Sequence, residues 1–195
     1  MRNNQDRFGP PPGDDNPPVQ QVEQPLQFVT PTEFVELPSR GVFYPQGHPL
    51  HNVETIEIRH MTAKDEDILT SRALLQKGIA IDRFLQNIVV DQNIKVPDLL
   101  VGDKNAIIVA SRVTGYGANY EATICCPSCQ KNVEFGFDLQ QCEPTSLDIF
   151  DELGVQRTQN NTFLIHLDKL DMDVEVRLLT SRDETYLLQL SEKRR

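Results

Sequence analysis

No apolar run in this 195-residue chain approaches the roughly 20 residues needed to cross a bilayer, so no membrane-spanning helix is expected. Clusters of lysine and arginine are missing until Lys193-Arg194-Arg195, and the formal net charge is −10. Phosphate backbones are gripped by such clusters, so direct nucleic-acid binding is not expected. No positively charged start precedes an apolar stretch, as it would in a secretory signal, and the chain is expected to stay in a reducing cytoplasm. There, its four cysteines point to metal binding or catalysis more than to disulfides. A catalytic constellation is also missing. Ser71, Ser111 and Ser181 stand outside any Gly-x-Ser-x-Gly elbow, and Gly115-Tyr116-Gly117 lacks the lysine and spacing of a phosphate loop. The carboxylates cluster at helix starts, where capping explains them. The chain is therefore expected not to be an enzyme.

Apolar residues make up only 38% of the chain, below the roughly 45–50% of ordinary globular domains. Much of the shortfall lies in residues 1–25, and eight of the thirteen prolines fall in the first 38 residues. Such a segment buries too little surface to offset its ordering entropy, so residues 1–32 read as a disordered, proline-rich arm. Residues 33–195 read as one α+β domain. It has a helical centre at about 62–115, a β-rich part at about 118–180 and a C-terminal helix at about 181–195.

Within that domain, Pro38-Ser39-Arg40-Gly41 marks a turn, and Phe43 and Tyr44 are expected to pack on the core. Ile56 and Ile58 alternate with Glu57 and Arg59, the pattern of a half-buried strand. Thr62 is a good N-cap, with acidic residues in the turn after it. The helix it starts carries Ile68, Leu69 and Leu75 and stops at Gly78. A second helix places Ile81, Phe84, Leu85 and Ile88 on one apolar face. Asp103 is expected to cap a third, which Gly115 closes. Strands follow at Tyr120–Ile124 and Val133–Leu139, and a hairpin joins the alternating runs around Ile165 and Val174. RHMTAKDEDIL at 59–69 is echoed by RLLTSRDETYL at 177–187, where Ser181 and Glu184 can form a capping box. A duplicated strand-to-helix unit and two independent good helix starts both account for the echo.

Cys126-Pro127-Ser128-Cys129 lies between two strand-like runs, as in the knuckle of a zinc ribbon. Cys126 and Cys129 are the candidate zinc ligands, and a closed site needs two more. Cys125 is adjacent and points to the other side of a strand, Cys142 lies beyond the second strand, and His48, His51 and His166 are scattered. A metal-free reduced turn remains an alternative. Thioredoxin-like redox chemistry is disfavoured, because its first cysteine belongs at a helix N-terminus.

Four stretches carry a family resemblance: LPSRGVFYPQGHPL, IEIRHMTAKDEDILTSRALLQKGIAIDRFLQN, PDLLVGDKNAIIVASRVTGYGANYEATICCPSC and VEVRLLTSRDETYLL. Over roughly residues 34–190 the chain resembles the baseplate hub subunits and hub-assembly proteins of T-even-type, contractile-tailed phages. The resemblance implies a structural or assembly role in the baseplate hub, with no catalytic chemistry. It implies other hub and tail proteins of the virion as partners, and locations in the host cytoplasm during assembly and in the tail baseplate afterwards. Longer members of that family carry a second Cys-x-x-Cys downstream of the helix that ends here in SEKRR. That pair would complete a four-thiolate site with Cys126 and Cys129. Cys125 and Cys142 match nothing in it. The alternatives are a tail-assembly chaperone not retained in the virion, a zinc-binding adaptor for a host protein, or a small metal-dependent or redox protein using the cysteine turn.

Overall fold

The computed structural model describes residues 30–144 and 155–193, so nearly all of the proline-rich arm lies outside the described residues. Strands β1 (Thr32–Glu36) and β2 (Thr55–Arg59) pair antiparallel, with Phe34 opposite Glu57. The alternation expected for β2 sets its faces: Ile56 and Ile58 are buried, while Glu57 and Arg59 stay partly exposed.

The helical centre follows. The single helix expected after Thr62 is two, α1 (Ala63–Thr70) and α2 (Arg72–Gln76), because Ser71 between them has extended backbone. Helix α3 (Ala80–Ile88) buries Ala80, Phe84, Leu85 and Ile88. Ile81 shares their face by spacing, but it lies at the opposite end from Ile88 and is 48% exposed. A 3₁₀ turn at Val96–Asp98 leads into α4 (Val101–Tyr116). Two expectations about α4 are corrected. Leu100, not Asp103, occupies the cap position, and the helix runs through Gly115 to end at Gly117, whose φ is 86°. Gly115 is small for packing and not for a stop: a Cβ there would collide with the Met61 side chain.

The remaining strands form two further sheets. Strands β3 (Asn119–Cys125) and β4 (Asn132–Asp138) make a two-stranded antiparallel ribbon. Strands β5 (Gln156–Arg157), β6 (Phe163–Leu167) and β7 (Met172–Val176) make an antiparallel sheet in the order β5-β6-β7. Helix α5 (Ser181–Glu192) follows. The class is α+β, as the sequence patterns indicated. The clustered core draws its buried side chains from between Val35 and Ile107, from β1, the 37–53 loop, β2, α3, the 89–100 segment and Ile107 of α4.

That loop carries little regular structure, and one buried carboxylate organises it. Asp103 has no exposed surface and accepts hydrogen bonds from the Ser39 amide (2.9 Å), the Ser39 hydroxyl (2.6 Å) and the Tyr44 hydroxyl (2.8 Å). The Tyr44 oxygen in turn accepts from the Leu100 amide at 3.1 Å, satisfying a donor at the start of α4. Asp103 lies in the first turn of α4, where the helix dipole favours its charge. Burial, with the Asp103 charge adding to it, pushes the Tyr44 hydroxyl far above the usual phenol range, so it stays a donor. Gly41 makes the tight return of the loop. Its φ is 70°, and a Cβ would strike the backbone of Leu50 and Val53.

Removing Asp103 strands the Tyr44 and Ser39 hydroxyls in the core. Asp103→Ala is expected to lower the unfolding free energy in urea by about 3 kcal/mol, and Tyr44→Phe by about 1 kcal/mol. A loss for Asp103→Ala no greater than for an exposed carboxylate would show that the pin does not hold the loop.

Candidate functional site

The echo seen in the sequence is a matching local geometry. At the end of β2, Arg59 grips Asp65 with two bonds of 2.7 and 2.8 Å, and the Thr62 amide and hydroxyl donate to the same carboxylate at 2.8 and 2.7 Å. After β7, Arg177 grips Asp183 at 2.6 and 2.7 Å, and the Thr180 amide and hydroxyl donate at 2.9 and 2.7 Å. Each is a strand end, an arginine fork, a threonine cap and the third residue of a helix. The capping pair expected at Ser181 and Glu184 is therefore Thr180 and Asp183. Ser181 and Glu184 serve Lys104 instead. Its buried ammonium donates to the Ser181 hydroxyl at 2.9 Å and pairs with Glu184 at 3.2 Å and Asp82 at 3.0 Å. That network ties α3, α4 and α5 together.

Burial works against ionisation of Asp65, but the Arg59, Thr62 and Asn87 hydrogen bonds outweigh it and hold its carboxyl well below the usual range. Asp183 is lowered as well, by Arg177 first and then by the Thr180 amide and hydroxyl.

The cysteine turn closes the β3–β4 ribbon. The Gln130 amide donates to the Cys126 carbonyl at 2.8 Å and the Cys126 amide to the Lys131 carbonyl at 2.9 Å, with Gln130 at φ 56°. The backbone amides of Cys129 and Ser128, then the Cys129 thiol, bond to the Cys126 sulfur and lower its pKa, favouring the thiolate. Cys126 and Cys129 are thus held together on an accessible turn, a geometry that suits a pair of metal-binding thiolates. Among the described residues, no group of three or more His, Cys, Asp or Glu side chains is placed to hold a metal. Cys142 lies apart, lining a cleft with Val35, Ala106 and Val113. His48 and His51 have local work: His48 Nδ1 accepts from the Leu50 amide at 3.1 Å, and His51 Nδ1 lies 2.7 Å from the Tyr44 carbonyl. Burial lowers the pKa of His48. His166 lies on β6, 2.8 Å from Asp173.

The larger feature of the ribbon is its faces. The register sets Tyr120 opposite Phe137, Ala122 opposite Phe135 and Ile124 opposite Val133, so one face is wholly apolar. The other carries Glu121, Thr123, Asn132 and Glu134. Both faces are open: Ile124, Val133 and Phe135 are each about half exposed. The sequence reading found the two strands and missed the free face. Its signal was there, since both strands alternate in the phase that puts their apolar residues on one side.

A cavity of about 410 Å³ lies between the 43–48 loop, the 160–162 turn and the second arginine fork, lined by Tyr44, His48, Asp98, Asn160, Arg177 and Thr180 among others. Its lining supplies hydrogen-bonding groups beside the apolar Phe43, Pro45, Leu100 and Leu178.

A family model described as T4 bacteriophage base plate protein matches residues 32–169. No curated protein and no solved structure matches the chain significantly.

Asp65 gives a pH signature. Because its folded pKa lies below the ordinary value of 3.8, its stabilisation is complete above that value and is lost as pH falls towards the folded one. The stability difference between the wild-type protein and Asp65→Asn is expected to be flat above about pH 5 and to shrink steadily below about pH 4, measured by urea unfolding at each pH. A difference that grows on acidification would reverse the assignment.

Proposed function

The chain belongs to the T4 bacteriophage base plate protein family, and on that premise we propose that it is a structural or assembly component of the baseplate hub of a contractile tail, working by binding other proteins rather than by catalysis. The observation that carries this is the apolar face of the β3–β4 ribbon. A two-stranded ribbon is marginal in water by itself, and three aromatic rings stand on this one: Tyr120, Phe135 and Phe137. Covered by a neighbouring tail protein, the same face becomes the buried centre of an interface, where aromatic side chains contribute most. The partners are other hub and tail proteins, met in the host cytoplasm during assembly.

A second reading rests on the cysteine turn. Cys126 and Cys129 offer half of a tetrahedral zinc set, and a partner or a further segment would supply the other half. Zinc there would clamp the tip of the ribbon to that partner and act through folding and association. The metal-dependent enzyme, the redox protein and the transient chaperone are the competing uses of the same chain.

Phe135→Glu is expected to leave the unfolding free energy within about 0.5 kcal/mol of the parent, since the side chain is exposed. It is expected to abolish incorporation into baseplates, read by sedimenting particles from cells in which the variant is the only copy. Normal incorporation would remove the ribbon face from the reading. Presence in assembly intermediates with absence from finished virions would favour the chaperone. For the zinc reading, the Cys126→Ser and Cys129→Ser variants should each lose the metal measured in purified particles, and unchanged metal content would end it.

A further inference from the structure

The two arginine–threonine–aspartate units differ in one respect. Residues 55–70 and 173–188 align without a gap, and six of the sixteen positions are identical, the arginine, threonine and aspartate among them. The alignment extends to pairing: Phe34 opposes Glu57 in the first hairpin as Leu164 opposes Glu175 in the second. The first unit is closed by the end of α3. The Asn87 side-chain amide donates to Asp65, the Asn87 carbonyl accepts from Arg59 Nε at 3.1 Å, and the Val90 amide donates to the Glu57 carbonyl at 3.1 Å. Val89 bridges Ile58 antiparallel. A helix end, the extended Val89 and the following Val90 thereby cap the carboxylate, the fork and the strand edge together.

The second unit has no such closure among the described residues. No described side-chain amide donates to Asp183, no described carbonyl accepts from Arg177 Nε, and β7 is an edge strand. The apolar positions follow suit. Ile58 is fully buried, whereas its equivalent Val176 is 38% exposed. Ile68 and Leu69 pack on the core, whereas Tyr186 and Leu187 are 60% and 50% exposed.

We propose that β7 and α5 form an open receptor for a helix end followed by two apolar residues, supplied by another baseplate polypeptide and docked as residues 87–90 dock on the first unit. The first unit specifies the chemistry of the occupant. It carries an asparagine or glutamine for Asp183, a backbone carbonyl for Arg177 and apolar side chains for Val176 and Leu187. Charge adds a further requirement. Residues 168–176 hold Asp168, Asp171, Asp173 and Glu175 against the single cation Lys169, so lysine or arginine should flank the docking segment. A second copy is a poor source. Its own residues 87–90 already close its first unit, and releasing them would cost Asp65 the Asn87 hydrogen bond and expose Ile88 and Val89. Within the chain, residues 145–154 contain no asparagine or glutamine.

The inference rests on the baseplate reading, and the test separates their failures. A photo-crosslinking residue replaces Leu187 in the full chain during infection, with one at Asp67 as a control on the already closed unit. The protein should enter particles, and the crosslink from position 187, not from 67, should map to another baseplate polypeptide. The mapped segment should carry an amide residue at a helix end followed by two apolar residues. Changing that amide to alanine should weaken the purified pair about tenfold or more, the loss of one hydrogen bond to a charged group. Crosslinks to a second copy or to residues 1–29 or 145–154, or none at all in particles that contain the protein, would overturn the receptor and leave the baseplate reading standing. Absence of the protein from both particles and intermediates would overturn both.

Discussion

The Asp103 carboxylate, sealed from solvent between the 37–53 loop and the first turn of α4, is the contact on which the rest of the structure depends. A charge with no exposed surface persists only when it is hydrogen-bonded, and Ser39 and Tyr44 engage it with three donors. The consequence is geometric. A loop too rich in proline and glycine to form a sheet is fixed against a helix sixty residues on. Tyr44 and Leu50 are thereby delivered to the core, and the start of α4 is held where α5 can meet it. The Leu179 carbonyl accepts from the Val101 amide, and the Ser181 amide donates to the Leu99 carbonyl. Both units of the echo therefore share one anchoring region.

From that anchor outward, the molecule divides by how its apolar surface is used. Between Val35 and Ile107 the alternating and helical patterns close on one another. Beyond Gly117 the same patterns form elements whose apolar sides stay open: the ribbon face, β7 and the outer side of α5. Monomeric proteins seldom leave aromatic and aliphatic residues in rows on a ribbon and a helix together, and such surfaces mark sites of association. A baseplate protein has many neighbours, and a partly closed molecule offers them ready-made seams. The cysteine turn sits at the tip of the ribbon.

Much of the fold was legible residue by residue, and the misses have physical causes. The β2 alternation and the α3 face are visible because one buried side imposes a period. Helix ends were harder. Gly115 looked like a stop, but the helix continues to Tyr116, and the end of the Met61 side chain, far away in sequence, lies where a Cβ would stand. Asp103 looked like a cap because acidic residues favour helix starts, and its engagement with Ser39 and Tyr44 is a long-range matter. Ser181 and Glu184 had the spacing of a capping box, yet the buried Lys104 claimed both. The cysteine pair was legible as a turn, since spacing alone defines it, while the amides that favour the Cys126 thiolate depend on the turn's conformation.

The sequence by itself determined the α+β class, the Thr62 helix start and the turn that carries Cys126 and Cys129. These follow from periodicity, capping and short spacing, all of which act over a few residues. Only the tertiary structure decided that, among the described residues, one of two locally matching units is closed and the other open, and that the ribbon's apolar face is exposed. Burial is a relation between distant segments, and two stretches with the same local chemistry differ in it only through what packs upon them.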